Sequence, residues 1–486
     1  MRVLLIDIDT LRPDHLGCYG YGRSTSPNID SIAAEGVRFE EYYCPNAPCM
    51  PSRASLITGR YGIHTGIVGH GGSAADLWLE GADRKFRTSV SENNLISLFR
   101  NNGMHCVSVS SFPERHSAYW FHMGFHEMIN SGGKGHESAE DVTPDALDWL
   151  DRKGKADNWL LHVNYWDPHT PYRAPASFGT PFKNEPLPDN WINDAVLAEH
   201  KKHIGPHSVN EINMWNDKTD PQYPRQPGRL DDLDDVKRFI DNYDTGILYA
   251  DTHVGYLLDK LRELGIYDDV SVIVTSDHGE TMGELGIYGE HATADRAVCR
   301  IPMIIKWAGG QKGIVESSLH TNVDLAPTVA ELLGQPVSER FDGISYAQTV
   351  LNGETQKREY AVLTQCAHVC QRSVRFDDYI YIRTYHGGYH MFNDEMLFDV
   401  KNDPHETRDL ASERPELCAR GARYLERWVS DMMTTSDYPT DPLWVVMKEG
   451  GPYHARGKKE RYMSRLERTG RGDALPEFAK RYRDFE

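Results

Sequence analysis

The chain has 486 residues, too many for one ordinary hydrophobic core, and is expected to fold as one large unit and a smaller one. Its 53 basic and 72 acidic residues leave a net charge of −19, which excludes nucleic acid and an anionic membrane as main partners. Any anionic substrate must then be held by a local positive pocket, built from a metal ion and a few arginines.

The eight cysteines form no dense framework, so a reducing compartment is the simpler reading, and Cys366 and Cys370 read as buried thiols. No apolar run has the length of a transmembrane helix. The opening Met1-Arg2-Val3-Leu4-Leu5-Ile6 reads as a strand and not as a signal peptide. The sequence as written is therefore expected to be cytoplasmic, although a leader replaced by a start methionine would read the same.

In chain order, Val3 to Asp9 is an apolar run ending in a carboxylate, as in a central parallel strand whose C-terminal end opens on a site. Asp7 points to the same side, but one position behind the edge it reads as a satisfied carboxylate and is left out of the site. Residues 26–36 make a short capped helix, and Val37 to Tyr43 a strand leading toward Cys49. The run from Cys49 to Arg60 predicts a helix, with Pro51 in its first turn and Gly59 at its end. A cysteine at a helix start should have a lowered pKa and favour anions, and Arg53 should bring its guanidinium to the face of the sulfur.

Residues 94–103 predict a helix, Cys106 to Val109 a strand, and His116 lies in the loop beyond. Trp159 to Tyr165 is a buried strand whose following loop carries His169, held between Pro168 and Pro171. Residues 173–235 have little periodicity and read as a lid-like insertion. From Ile247 to Leu264 apolar residues recur at helical spacing, and Val270 to Thr275 is a strand running straight into Asp277-His278-Gly279. That sequence puts two metal ligands on the sheet edge shared by Asp9 and Cys49. His291 precedes a strand expected at Ile301 to Ile305. After about residue 350, short alternating segments at 360–364, 372–375, 379–384 and 395–399 predict a small antiparallel sheet covered by a helix over 413–432. From Pro452 the tail has few core-forming residues and is expected to wrap another surface, such as a second subunit in a homo-oligomer.

Cys49-Met50-Pro51-Ser52-Arg53, with its Leu56-Ile57-Thr58-Gly59-Arg60 ending, resembles the signature of the type I sulfatases. Asp9-Thr10-Leu11, Asp277-His278-Gly279 and the Asp399 to Glu406 turn are similar to further motifs of that family, in the same order. The resemblance implies an alkaline-phosphatase-like α/β fold, with a large, mostly parallel mixed sheet flanked by helices. It implies a catalytic domain over 1–350 and a smaller α+β domain over 351–486. It also implies that a maturation enzyme oxidises Cys49 to formylglycine, whose hydrate is the nucleophile, beside one divalent ion held by Asp9, Asp277, His278 and residue 49. Oxygen ligands suit Ca2+, whereas the imidazole of His278 leans toward Mn2+ or another transition ion, with Mg2+ as a further alternative. Arg53 would neutralise charge on the sulfate, His169 or His291 would protonate the leaving alcohol, and His116 would break down the intermediate. The chain departs from the family pattern where Thr10 replaces an aspartate, where Arg115 stands near a missing lysine, and where His291 replaces another.

The expected substrate is a small-molecule or oligosaccharide sulfate ester, with carbohydrate preferred because Trp120, Trp166, Trp191 and Trp215 could stack on sugars. Two alternatives stay open: a phosphonate monoester or phosphodiester hydrolase of the same superfamily, to which Asp-His-Gly is also similar, and an unmodified sulfate-binding pseudoenzyme.

Overall fold

The computed structural model describes residues 1–78, 80 and 84–482. Its main sheet has eight strands, in the spatial order Ile314–Thr321, Val37–Tyr43, Met303–Lys306, Val270–Thr275, Arg2–Ile8, Trp159–Tyr165, His105–Val109 and Glu127–Ile129. Every pairing is parallel except the two made by Met303–Lys306. That strand starts two residues later than expected and lies antiparallel between its neighbours.

Arg2–Ile8 and Val270–Thr275 are buried along almost their whole length, which explains why they read as unbroken apolar runs. Their register pairs Asp7 with Thr275, so the residues that follow, Asp9 and Asp277, leave the sheet at one level and side by side. Helices cover both faces. Leu233–Glu263 begins well before the periodic stretch that predicted it, capped by Asp232, and packs Val254, Leu257, Leu258 and Leu261 into one of the two large cores.

The second sheet runs Glu395–Asp399, Tyr379–His386, Cys370–Phe376, Tyr360–Gln365, with antiparallel pairing throughout. It gains an unexpected fifth strand, Asn46–Ala47, parallel to Tyr360–Gln365. This strand leads within two residues to Cys49, so the second sheet helps to hold the nucleophile's helix. Pro415–Thr435 covers the sheet through Leu417, Leu425 and Trp428.

The tail differs from expectation. Lys459–Arg468 and Leu475–Arg481 are helices, and Tyr462, Leu466, Phe478 and Tyr482 pack against Ile204 and Tyr389 of the same chain. Glu211 anchors it further, accepting from Tyr462 Oη (2.8 Å) and Arg471 Nη2 (2.8 Å). The apolar residues are few but lie on one side of each short helix, a pattern masked in the sequence by the charges between them. All eight cysteines are free thiols, Cys366 and Cys370 among the buried ones. Among the described residues no helix is long and apolar enough to cross a membrane.

Candidate active site

Cys49 opens the helix Cys49–Thr58, which ends at Gly59 with φ 64°. A side chain there would meet Phe341 at 2.7 Å and Ala326 at 2.9 Å, so this position requires glycine for space as well as conformation. The helix is wholly buried and points its start at the ends of the two central strands.

Asp9, Cys49, Asp277 and His278 each place a ligand atom within 4.8 Å of the others, and all four are buried. Cys49 Sγ lies 3.1 Å from His278 Nε2, which is also 3.4 Å from Asp277 Oδ2 and 3.8 Å from Asp9 Oδ1. His278 Nδ1 is 2.8 Å from the Gly279 carbonyl, so it donates there and turns the Nε2 lone pair toward the cluster. Asp277 Oδ1 accepts from the backbone N–H of His278 (2.9 Å) and of Thr10 (3.2 Å). Thr10 thus enters through its backbone, at φ 55°, while its hydroxyl has no protein partner.

Arg53 is the counter-charge. Its Nε donates to Asp7 (2.8 Å), and its Nη1 to Asp9 (3.1 Å) and to Asp277. The sequence pattern placed this guanidinium on the substrate side; it is largely committed to carboxylates, and only Nη2 lacks a partner. Its plane lies over Phe112 and Trp166, 4.7 and 5.8 Å from the ring centres. Asp7 is therefore part of the arrangement, in contrast to the satisfied carboxylate outside the site that its place behind the strand edge predicts. The missing signal was its partner, which lies 46 residues away in the chain.

The lowered pKa expected of Cys49 is reversed. Burial comes first, then Asp9 and Asp277, and together they hold the thiol well above its ordinary value against Arg53. The helix dipole favours the thiolate, but two carboxylates in the same dry pocket oppose it. Burial also raises Asp277 far above the usual carboxylate range. For Asp9, burial is outweighed by His169 and Arg53, and the carboxyl is held low.

The cluster opens on a cavity of about 600 Å³, whose wall includes Cys49, His116, His169, His291 and Arg115. His169 Nδ1 is bound to the Thr170 carbonyl, leaving Nε2 4.0 Å from Asp9. His291 has Nε2 3.0 Å from Glu290 Oε1 and a buried Nδ1 with no partner. His116 Nε2 is likewise buried and unpartnered. Burial pushes His116 and His169 down to about 3, so both rings are neutral. All the sequence-predicted site residues thus converge. Sequence reasoning missed Lys134, His70, His368 and His454 on the same wall, which come from loops without a motif.

Trp120 and Trp166 are buried in an apolar cluster around Cys49 and Phe112, so these two are core and not sugar platforms, and the partly buried Trp215 packs on Tyr462. Trp191 stacks on His405. The 173–235 segment contributes Met214 to the cavity wall.

The donor set fits a divalent ion: two carboxylates, an imidazole with its lone pair turned inward, and Asp9 Oδ1 buried without a partner.

A family model described as Sulfatase matches residues 2–335, and one described as N-sulphoglucosamine sulphohydrolase, C-terminal, matches residues 283–420. A multifunctional alkaline phosphatase superfamily protein of Trinickia caryophylli is 26% identical, over 90% of this chain and 96% of its own. Iduronate 2-sulfatase of Mus musculus is 28% identical, over 70% of both chains. A protein solved in complex with D-glucosamine-2-N,6-O-disulfate superposes with a TM-score of 0.70 at 19% identity, covering 90% of this chain and 99% of the other.

Proposed function

The chain belongs to the sulfatase family of sulfuric ester hydrolases, and on that premise we propose that it hydrolyses a carbohydrate sulfate ester with formylglycine derived from Cys49. The observation that carries this reading is the buried meeting of Asp9, Cys49, Asp277 and His278 at the mouth of a cavity walled by imidazoles. The C-terminal family match and the iduronate sulfatase relative support a sugar as the leaving group.

Asp9, Asp277, His278 and residue 49 would hold a divalent ion, Ca2+ or Mn2+/Mg2+, which supplies a Lewis acid for the sulfate oxygens. The chain's own residues do the rest. Arg53 holds Asp7, Asp9 and Asp277 in place through its Nε and Nη1, with Nη2 left over for a sulfate oxygen. A hydroxyl of the hydrated residue 49 attacks sulfur, and the departing alcohol takes a proton from His291, whose Nδ1 has no competing partner and whose Nε2 is set by Glu290. His169, whose Nδ1 is committed to the Thr170 carbonyl, leaves Nε2 to accept from the departing alcohol once that has taken its proton. His116 takes the proton that accompanies sulfate release and restores the aldehyde.

Peptide mass spectrometry on protein from its native source should find residue 49 as an aldehyde, and the purified enzyme should turn over an aryl sulfate and one or more sulfated mono- or disaccharides. An untouched thiol at residue 49 would leave a sulfate-binding pseudoenzyme. A phosphonate monoester or phosphodiester hydrolase is the second reading, favoured by Asp277-His278-Gly279 and by the multifunctional relative. Faster turnover of an aryl phosphonate than of the matching sulfate would establish it.

A further inference from the structure

A second set of imidazoles stands on the wall of the same cavity. His70 comes from the glycine-rich loop at 69–72, His368 from the turn between Tyr360–Gln365 and Cys370–Phe376, and His454 from the C-terminal segment. One ring nitrogen of each lies within 4.8 Å of the other two. His70 Nδ1 and His454 Nε2 are 3.2 Å apart. Two nitrogens bound to one tetrahedral zinc at about 2.0–2.1 Å would be separated by about 3.3 Å. The rings of His368 and His454 lie parallel, with centres 4.1 Å apart.

The rest of the structure holds these rings in place. The backbone N–H of His454 donates to the Ala367 carbonyl (3.0 Å), and Gln365 Oε1 accepts from Ala367 N (2.6 Å) and His368 N (3.3 Å). Gly71 lies under the Tyr453 ring, where a Cβ would stand 2.3 Å from the ring atoms, so glycine lets the tail approach the His70 loop. The ring nitrogens they present are sparsely used: His70 Nδ1 and His454 Nε2 share one hydrogen bond with each other, while Nε2 of His70 and Nε2 of His368 are buried without a hydrogen-bond partner. The carboxylate nearest to His368, Glu290, is 3.6 Å away. Holding three imidazoles together with two buried ring nitrogens unmet is costly in an apoprotein, and a close set of imidazole nitrogens is what a metal centre requires. Burial keeps all three rings neutral, the state in which imidazole binds a metal.

We propose that His70, His368 and His454 bind a second divalent ion of the zinc class, separate from the ion at Asp9, Asp277 and His278. Three imidazoles and no carboxylate select Zn2+, Co2+, Ni2+ or Cu2+ over Ca2+ or Mg2+. A tetrahedral ion so held keeps one position open to the cavity, for water or an anionic oxygen. It also adds positive charge beside the nucleophile of a strongly acidic chain.

Chelator-stripped protein is titrated with Zn2+, with equilibrium dialysis and elemental analysis as readout, and with Co2+, read by visible absorption. Wild type should bind two equivalents, and Asp277→Asn should keep the three-histidine one. His454→Ala and His368→Ala should each lose one equivalent and keep the other, and either combined with Asp277→Asn should bind none. A Co2+ band of tetrahedral intensity should appear in Asp277→Asn and vanish when His454→Ala is added. Wild-type stoichiometry in both histidine variants overturns the proposal, as does a wild type that binds one equivalent and an Asp277→Asn that binds none. Should Asp277→Asn still bind two while the histidine variants lose one, the proposal stands and the assignment of the first ion falls. If thermal melting shows His454→Ala to be misfolded, His70→Asn takes its place in the same titration.

Discussion

Arg53 joins three buried carboxylates that reach it from two strand ends, and its guanidinium touches all of them. Replacing it with methionine keeps the volume and leaves Asp7, Asp9 and Asp277 facing one another in a dry pocket. A cost of about 3–5 kcal/mol in unfolding free energy is expected. Arg53→Lys should recover part of it, because one ammonium restores the charge but cannot match the fork of contacts. Urea denaturation of the two variants tests this, and equal stability of Arg53→Met and wild type would show that the carboxylates do not depend on the arginine. Asp167 supplies a pH dependence. Its Oδ2 accepts from Ala139 N (2.9 Å), its Oδ1 has no partner, and burial, opposed by Arg173, raises its carboxyl to about 7. The folded state therefore keeps this proton over a range, from about pH 4 to 7, where the unfolded chain releases it, so wild-type stability falls as pH rises through that window. Asp167→Asn cannot titrate there and should gain on wild type by at most about 4 kcal/mol between those limits. A flat difference between the two denaturation curves would disprove it. At this scale the sequence was readable where a chemical group follows directly on a strand or opens a helix, as Asp9, Asp277, His278 and Cys49 do. It was unreadable where partners meet only in space, as with Asp7 and Arg53, or the three loop histidines.

Whole elements were more legible than their edges. Trp159–Tyr165, Val270–Thr275 and Glu395–Asp399 have the bounds that their apolar runs predicted, because the ends are set by turn chemistry within the segment. Met303–Lys306 starts late because its neighbours, not its own sequence, decide where pairing begins. The Asn46–Ala47 strand is too short to show any alternation, and exists because Tyr360–Gln365 offers it an edge. Helix-on-sheet contact in the smaller layer turns on Gly421, in the middle of Pro415–Thr435. A Cβ there would stand 2.6 Å from Tyr381 Cβ. Helix propensity alone makes Gly421→Ala favourable by about 1 kcal/mol, whereas overpacking costs about 1–3 kcal/mol. The clash is with the stem of a strand residue, not a flexible tip, so packing should dominate and the variant should melt several degrees below wild type. A higher melting temperature would mean that the helix lifts away from the sheet without loss.

At the scale of the whole molecule, charge opposes chemistry: the chain carries −19 while its proposed substrate is an anion. Among the described residues the cationic groups near the site include Arg53 beneath the cluster, Arg115 and Lys134 on the cavity wall, and Arg173 donating to the His169 carbonyl. The tail packs over its own chain through apolar residues. A sulfated polymer must cross the field of that net charge before it reaches the pocket, whereas a monosaccharide sulfate carries one charge and meets far less repulsion. Salt shortens the reach of the field from about 30 Å at 0.01 M to about 8 Å at 0.15 M. For a polymeric substrate kcat/KM should therefore rise by roughly 3- to 10-fold across that range, through encounter rate and with kcat unchanged. For a sulfated monosaccharide it should stay nearly flat. The opposite sign, a polymer rate that falls with salt, would require a basic track leading to the cavity that outweighs the net charge, and would redirect attention from small sugars to polyanionic chains.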